Sequence, residues 1–392
     1  MRKLALTDEQ YGPLLPFVKN ESMTDINWNG TELWVDDLKR GRFKVKGFTM
    51  DEGFIARFYT KVSNLMNVQF NQQNPVLEAE TDQLRLSIVH DSVTNTGFSI
   101  SIRKTPSVRR MSRKSMIETG YAPERLIVFF KNCVRAGCTM VAGGLPGVGK
   151  TEFIKWLTYY IPPNERVFTI EDTLELRYAA INPGKDCVEI KVDDKFGYSD
   201  ALKASKRQLP TWVLVAESRG EEVVYLMENI SSGVHCLTTA HMDGVMTLPD
   251  RFANMGADIN INDVYSFIDI GVYIDIQKTN GKITRKITQV ACYSRDKGEN
   301  KTTMLYQDGR FLLDYKDFPG SIRYRFQNAK INDPFVDALP ETVDNSAFEA
   351  PFDDILEEFN KQQKVEESSQ ENEEKEPQKK EPLQKEQKEK RK

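Results

Sequence analysis

One short glycine-rich run constrains the fold of this chain more than any other feature. Residues 144–151 read Gly-Leu-Pro-Gly-Val-Gly-Lys-Thr and match the full pattern G-x-x-x-x-G-K-S/T. A β-rich apolar run at 139–142 precedes the motif, and a helical pattern at 151–160 follows it. This strand–loop–helix context is the one in which the motif cradles phosphate groups, so we predict a phosphate-binding loop.

Each residue type in the loop has a chemical task. Glycines let backbone N–H groups turn toward phosphate oxygens, and the start of the following helix adds partial positive charge. Lys150 would neutralise the β- and γ-phosphates, and the Thr151 hydroxyl would be a ligand of Mg²⁺. The residues assigned to nucleotide binding are Gly144, Leu145, Pro146, Gly147, Val148, Gly149, Lys150 and Thr151.

Helical and β-rich segments alternate on both sides of this loop. Strands are predicted at 139–142, 167–170, 212–215 and 237–239, with helices at 125–135, 151–160, 199–208 and 221–230. This alternation is typical of an α/β fold with parallel strands and helices on both faces. Residues 273–290 and 303–313 read as hairpins around Asn280-Gly281 and Asp308-Gly309, which would add an antiparallel extension.

The charge is unevenly distributed outside this region. The first hundred residues read as an α/β domain, with a hairpin at Asn29-Gly30 and a helix at 51–66. Residues 103–114 hold six basic residues and no acid, which indicates a solvated linker or a phosphate contact. Residues 331–360 carry nine acids and no Lys or Arg, and 361–392 combine ten basic with nine acidic residues. The expected division is 1–102, 103–124, 125–330, an acidic segment at 331–360 and a disordered charged tail at 361–392.

Composition excludes several other classes of protein. The 54 basic and 58 acidic side chains give a net charge of −4, which argues against a chain-wide nucleic-acid surface. No apolar run approaches the roughly 18 residues of a membrane-spanning helix. The first residues lack the apolar core of a secretory signal, and five cysteines without framework spacing favour a reducing cytosol. Cys133 and Cys138 lack a second Cys or His pair, so no structural zinc is expected.

Acidic residues follow two of the predicted strands. Glu171 and Asp172 come after 167–170, and Glu217 closes the run that begins at 212. The carboxyl ends of parallel strands meet at one edge of a sheet, where ligands collect. His241 ends another apolar run and could sense the γ-phosphate. For each of these residues, a solvated loop acid or a structural histidine is the alternative.

The order of these motifs resembles that of the traffic ATPases of type II and type IV secretion, conjugation and pilus machines. The loop is followed by Thr-Ile-Glu-Asp-Thr-Leu-Glu-Leu at 169–176 and by Arg207 ahead of a strand ending Ala-Glu-Ser-Arg-Gly. Leu-Thr-Thr-Ala-His follows at 237–241, and the likeness covers about residues 24–277. The resemblance implies an N-terminal sensor-like α/β domain and a RecA-like ATPase domain that uses ATP and Mg²⁺.

The resemblance also implies roles for individual residues. It places Glu171 and Asp172 in an Asp box, Glu217 in the Walker B motif and His241 in a His box. Glu222 matches the acid that follows the family's Arg-Gly pair. The expected catalytic residues are Glu217, Glu171, His241, Arg103 and Arg207, and the expected metal ligands are Thr151, Glu217 and Asp172. The order of Glu217 and Glu171 as the residue that orients water stays open.

Members of this family form hexameric rings, which implies a homo-hexamer here. Expected partners are inner-membrane secretion, conjugation or pilus components at the cytoplasmic face of the membrane, with no stable nucleic-acid binding. Thr211 after Pro210 and Met242-Asp243 after His241 depart from the usual motifs. A tetracysteine zinc module is absent, which favours the conjugation, type IV-like or Tad-like pilus branches. A RecA-like DNA translocase or helicase and a non-hydrolysing nucleotide-gated scaffold are the alternative functions.

Overall fold

The computed structural model describes residues 4–220, 222–256, 258–279 and 282–337. The turn residues Asn280 and Gly281, most of the acidic segment and all of the charged tail therefore lie outside the described residues. The described residues build two sheets, one of six strands near the N-terminus and one of nine strands that carries the glycine-rich loop. No helix in these ranges is long and apolar enough to cross a membrane.

The six-stranded N-terminal sheet is antiparallel. Its strands are β1 (Met23–Trp28), β2 (Leu33–Asp37), β3 (Gly41–Lys44), β4 (Val76–Glu80), β5 (Leu84–Val89) and β6 (Ser99–Lys104), in the order β3-β2-β1-β6-β5-β4. Asn29-Gly30 turns β1 into β2, as predicted, and Trp28 pairs with Leu33 across the hairpin. After the short helix α1 (Leu15–Lys19), the helix α2 (Glu52–Met66) begins at Asp51, whose side chain accepts a hydrogen bond from the Phe54 N–H.

The nine-stranded sheet combines parallel strands with an antiparallel extension. Its strands are β7 (Met140–Gly143), β8 (Val167–Glu171), β9 (Cys187–Lys191), β10 (Trp212–Ser218), β11 (His235–Ala240), β12 (Ile270–Thr279), β13 (Lys282–Asp296), β14 (Glu299–Gln307) and β15 (Arg310–Phe311). The order is β15-β14-β13-β12-β7-β11-β10-β8-β9. Strands β7 to β12 are parallel, and β12 to β15 pair antiparallel. The predicted parallel sheet and both predicted hairpins are confirmed.

Helices cover both faces of this sheet. They are α3 (Arg113–Glu118), α4 (Glu124–Arg135), α5 (Lys150–Thr158), α6 (Tyr178–Ile181), α7 (Tyr198–Lys206), α8 (Glu222–Ser231), α9 (Leu248–Ala253), α10 (Ile261–Phe267) and α11 (Gly320–Asn328). Successive residues of β7 face opposite sides, so Met140 and Ala142 pack with α4, α5 and α11, whereas Val141 packs with α7 to α10. Two apolar layers therefore hold the sheet between them.

The segment predicted as a basic linker is more ordered than its composition indicates. Strand β6 continues through Lys104, two residues into that segment, and α3 lies within it. The Arg109 guanidinium donates to the Ile181 carbonyl and to Asn182 Oδ1, both at 2.8 Å. The Arg109 side chain therefore binds backbone and amide oxygens at the end of α6, which the charge run alone does not show.

Candidate functional site

The glycine-rich loop lies at the carboxyl edge of the sheet, between β7 and α5. Gly144, Gly147 and Gly149 have φ angles of 145°, 79° and 94°, which L-residues rarely adopt. A Cβ atom at Gly144 would also lie 2.3 Å from the carbonyl oxygen of Ile274 on β12. Glycine is therefore required here both by backbone conformation and by the neighbouring strand.

Lys150 is buried at the centre of this loop. Its Nζ lies 3.1 Å from the carbonyl oxygen of Gly144, 3.3 Å from that of Leu145 and 3.3 Å from His241 Nδ1. Burial lowers the pKa of Lys150, while the negative charges of Glu217 and Glu175 raise it. The ammonium group is held by neutral carbonyl oxygens, which charged phosphate oxygens can replace.

Glu217 connects this lysine to a chain of charged groups along the carboxyl edge. His241 Nε2 lies 2.6 Å from Glu217 Oε1, so the imidazole sits between Lys150 and Glu217. Arg219 Nε donates to Glu217 Oε2 at 2.7 Å, and Arg219 Nη1 lies 3.4 Å from Asp172 Oδ2. The register of β10 against β11 shifts between Val215 and Ser218, which re-aims the strand end that carries Glu217.

Glu222 holds the backbone of the turn that carries Arg219. Its Oε1 accepts the backbone N–H groups of Arg219 at 2.6 Å and Gly220 at 2.9 Å, at the start of α8. A carboxylate at a helix start is favoured by the unpaired N–H groups and the helix dipole. Glu222 therefore fixes the turn that follows Glu217. Lys150 is linked to Glu217 through His241.

The two carboxylates that follow β8 have different surroundings. Glu171 is fully buried, and its Oε1 accepts the N–H groups of Glu175 at 3.0 Å and Leu176 at 2.9 Å. Burial raises the pKa of Glu171 to about 8, although these hydrogen bonds lower it. Asp172 Oδ1 accepts the Thr173 N–H at 2.7 Å, and its other oxygen faces Arg219. Glu171 holds the loop closed, and Asp172 ends the charged chain.

Glu175 is a site residue that the sequence reasoning missed. The Thr151 hydroxyl donates to Glu175 Oε2 at 3.2 Å, which brings a carboxylate against the hydroxyl expected to bind metal. Glu175 is the third acid of Thr-Ile-Glu-Asp-Thr-Leu-Glu-Leu at 169–176, whereas the resemblance implies roles only for the first two carboxylates. Its position depends on Glu171, which binds the Glu175 N–H and folds the loop back toward α5.

Arg103 lies at the end of β6, on the N-terminal sheet. Its Nε donates to Asp25 Oδ1 at 2.7 Å, and its side chain is 58% exposed. Burial lowers the pKa of Arg103, but the hydrogen bond to Asp25 and the charges of Asp25, Glu175 and Asp36 raise it. The field of Glu175 therefore reaches this arginine, although its guanidinium is bound to Asp25.

The family of the chain follows from comparison with known proteins. A family model of type II/IV secretion system proteins matches residues 71–310, more than half of the chain. The chain belongs to this family. The predicted RecA-like P-loop fold and the expected membership are confirmed.

Relatives of this secretion system protein support the same assignment. The type IV secretion system protein VirB11 of Bartonella quintana is 28% identical over 328 aligned residues, covering 71% of this chain and 90% of that protein. An uncharacterised protein of Bacillus anthracis is 25% identical over 344 residues, covering 83% of this chain and 76% of that protein. The structure of the Yersinia pseudotuberculosis ATPase DotB shares the fold, with a TM-score of 0.56, 14% identity and coverage of 74% and 81%.

As a type II/IV secretion system protein, the chain is an ATPase that drives a secretion or pilus machine. The phosphate loop, Lys150, His241 and Glu217 lie next to one another at the carboxyl edge of this ATPase. Family membership does not favour the DNA translocase or the non-hydrolysing scaffold.

Arg207 lies at the edge of the nine-stranded sheet opposite the phosphate loop. It follows α7, which returns the chain from the carboxyl edge to the amino edge, and it precedes β10. Its neighbour Gln208 lies 3.4 Å from Arg166, immediately before β8. Arg207 is exposed at the amino edge of the secretion ATPase and does not reach the phosphate loop of its own chain.

Proposed function

We propose that this ATPase works as a ring of identical subunits and couples hydrolysis to motion of the N-terminal sheet against the nine-stranded sheet. The contact chain from Lys150 through His241 to Glu217 supports hydrolysis at this edge, because it links the phosphate loop to a carboxylate at a strand end. The moving parts would be residues 1–102 and 125–330, with the basic segment 103–124 between them.

The oxygen donors beside the loop fit a magnesium ion. The Thr151 hydroxyl and Glu175 carboxylate are 3.2 Å apart, and hard oxygen ligands of this kind suit Mg²⁺. Thr151 and Glu175 would hold the ion, with Glu217 near Lys150 as a further carboxylate. Asp172 is the weaker candidate, because its carboxylate faces Arg219. When bound, Mg²⁺ would neutralise charge on the β- and γ-phosphate oxygens.

We assign the orientation of the attacking water to Glu217. It ends a strand at the carboxyl edge, only 15% of its side chain is exposed, and His241 lies against one of its oxygens. Glu171 is a poor candidate because it is fully buried and both loop N–H groups bind one of its oxygens. His241 would hold Glu217 and respond to the γ-phosphate, and Lys150 would neutralise phosphate charge.

Arginines from other surfaces would complete the site in a ring. Arg103 is bound to Asp25, and against the effect of burial the charges of Asp25 and Glu175 raise the pKa of Arg103, so release from Asp25 would free the guanidinium for phosphate. Arg207 is exposed, and its side chain makes no hydrogen bond or ion pair with the described part of the chain. If Arg207 contacts phosphate, it must do so on the loop of another subunit, as in the homo-hexamer with composite sites proposed here.

The machine served by the motor is assigned by likeness to relatives. The Bartonella relative is a type IV secretion protein, which supports partners among inner-membrane secretion, conjugation or Tad-like pilus components at the cytoplasmic face. No stable nucleic-acid complex is expected, because the net charge is only −4 and basic residues are balanced by acids.

The ring proposal is tested by ATP hydrolysis measured with molar mass. Full-length protein is diluted over a wide concentration range, with Mg²⁺ or with EDTA, while light scattering reports the assembly. We expect Mg²⁺-dependent hydrolysis whose specific rate rises as the oligomer forms. A full rate in a demonstrably monomeric sample would contradict the composite site.

A further inference from the structure

Arg285, on β13, joins the phosphate loop to the N-terminal sheet. Its Nε donates to the carbonyl oxygen of Gly147 at 3.1 Å. Its Nη1 donates to the carbonyl oxygen of Leu38, between β2 and β3, also at 3.1 Å. One guanidinium group thus contacts both parts of the molecule whose relative motion is proposed above.

The backbone that carries Arg285 is fixed on both sides. Toward the N-terminal sheet, a Cβ atom at Gly41 would lie 2.4 Å from Ile283 Cδ1, so strands β3 and β13 approach closely at that point. Toward the other end, the Ile287 N–H donates to the Tyr121 carbonyl at 2.9 Å, next to the buried ring of Tyr121. Strand β13 therefore offers a rigid support from which the arginine reaches the loop.

The positive charge of Arg285 is stabilised mainly by the two carbonyl oxygens of Gly147 and Leu38. Within the described ranges Arg285 has no ion pair with a carboxylate. Burial and the nearby positive charge of Arg110 lower the pKa of Arg285, but an arginine stays protonated in proteins. A half-buried guanidinium without a carboxylate has only backbone oxygens to replace water, so losing either contact leaves a donor unsatisfied.

We propose that Arg285 is a positioning residue that couples the orientation of the N-terminal sheet to the conformation of Gly147 in the phosphate loop. Gly147 has a φ of 79°, and its carbonyl direction sets how the following N–H groups face phosphate. When the sheet moves, the bond to Leu38 must break or pull on the loop through the same side chain. This inference rests on the proposed function, because it requires hydrolysis to be coupled to interdomain motion.

The test uses full-length protein with Arg285→Met, Arg285→Lys and the control Arg295→Met. Methionine keeps the apolar stem and removes the donors, and the single nitrogen of lysine cannot replace the two nitrogens that contact Gly147 and Leu38. Arg295 lies on the same strand but bonds Asn262 and Asn300, away from the loop. Spin labels at the exposed positions Lys46 and Asp194 report the distance between the sheets.

The labels are placed in a Cys187→Ser background, because the other four native cysteines are buried. Labelled subunits are diluted into unlabelled protein, so that each distance is measured within one chain. Distances are recorded with and without Mg²⁺ and a slowly hydrolysed ATP analogue, alongside kcat, KM and thermal unfolding.

We expect Arg285→Met to remain folded and to lose the nucleotide-dependent distance change. Its kcat should fall about 10- to 100-fold, the scale of misplaced catalytic groups, with KM for ATP within about threefold of wild type. Arg285→Lys should also lose the distance change, and Arg295→Met should match wild type.

Two results would overturn the proposal. One is an unchanged distance response and an unchanged kcat in both Arg285 variants. The other is a raised KM with unchanged kcat, which would make Arg285 a binding residue only. A wild type that hydrolyses ATP without any distance change would refute this coupling but leave the ATPase assignment intact, whereas no hydrolysis at all would refute the proposed function as well.

Discussion

The two ends of strand β11 carry one histidine each, and the two rings have opposite surroundings. At the amino end, the ring of His235 lies 5.0 Å from the ring of Trp212, and burial with the charge of Arg325 lowers its pKa to about 4. At the carboxyl end, His241 lies between Lys150 and Glu217 and is 39% exposed. His235 thus packs against an aromatic ring, while His241 belongs to a solvent-reachable chain of charges.

The same contrast separates the acids at the carboxyl edge. Glu171 and Glu217 both close parallel strands, yet Glu171 is enclosed by the loop that it binds and Glu217 faces histidine and arginine. Position at a strand end is therefore not sufficient for chemistry. The path of the next loop decides which carboxylate stays available.

The largest effect on ATP hydrolysis is expected from replacing Lys150 in the phosphate loop. Lys150→Ala removes the only ammonium group within the phosphate loop, so phosphate charge would no longer be neutralised there. We expect ATP hydrolysis to be abolished and nucleotide binding to weaken, measured by phosphate release and equilibrium binding. Activity within about twofold of wild type would remove the loop from the mechanism, since one preorganised charge is worth at least about 10²-fold.

The arginines test whether the site continues across subunits. Arg103→Ala should slow the assembled full-length protein by about 10³-fold, the value of an arginine delivered to transferring phosphate, without preventing assembly. Arg42→Ala is the matched control, because Arg42 pairs with Asp36 on the same sheet at 2.9 Å. A normal rate in the Arg103 variant would show that it is a surface arginine.

Mixing two inactive variants tests Arg207 separately. If Arg207 acts on a neighbouring subunit, rings mixed from Arg207→Ala and Lys150→Ala chains should regain activity, because some interfaces then contain both native groups. Neither variant alone should be active. The absence of recovery in demonstrably mixed rings would place Arg207 outside the catalytic site.

Replacing the carboxylates that follow β8 should lower turnover less than the arginine substitutions do, and to a different degree for each carboxylate. Glu175→Gln should lower turnover by about 10²-fold, because it removes the charge beside the Thr151 hydroxyl. Glu171→Gln keeps an oxygen acceptor for the loop N–H groups and should change turnover much less. Turnover is measured in steady-state assays, with ATP binding checked. A larger loss of turnover in Glu171→Gln than in Glu175→Gln would restore Glu171 as the catalytic carboxylate.

Much of the fold could be predicted from sequence, because it depends on local patterns. Alternating apolar runs, the Asn-Gly and Asp-Gly turns and the glycine-rich loop each predicted an element that the structure contains. The position of Arg207 at the amino edge could also be predicted, because a helix between parallel strands returns the chain to that edge. Glu175 and Arg285 could not be placed, because loop folding and tertiary contacts fix their positions.

The smallest expected effect is on stability against pH. The folded-state pKa of His235 is about 4, below its reference of 6.5, so its contribution is present above pH 6.5 and lost as the pH falls toward 4. That of Glu171 is about 8, above 4.5, so its contribution is present at low pH and lost as the pH rises through 8. Urea unfolding should show that Glu171→Gln removes the loss of stability between pH 4.5 and 8, and that His235→Gln removes the loss as the pH falls from 6.5 to 4. Profiles identical to wild type would contradict these environments.

A single-turnover assay of Glu217→Gln shows whether the carboxyl edge performs hydrolysis through Glu217. The amide keeps the size of the side chain and removes its charge next to His241 and Arg219. We predict that the assembled variant binds ATP and Mg²⁺ like wild type but cleaves the bound ATP at least about 10²-fold more slowly. Cleavage at the wild-type rate with ATP bound would show that Glu217 does not orient the attacking water.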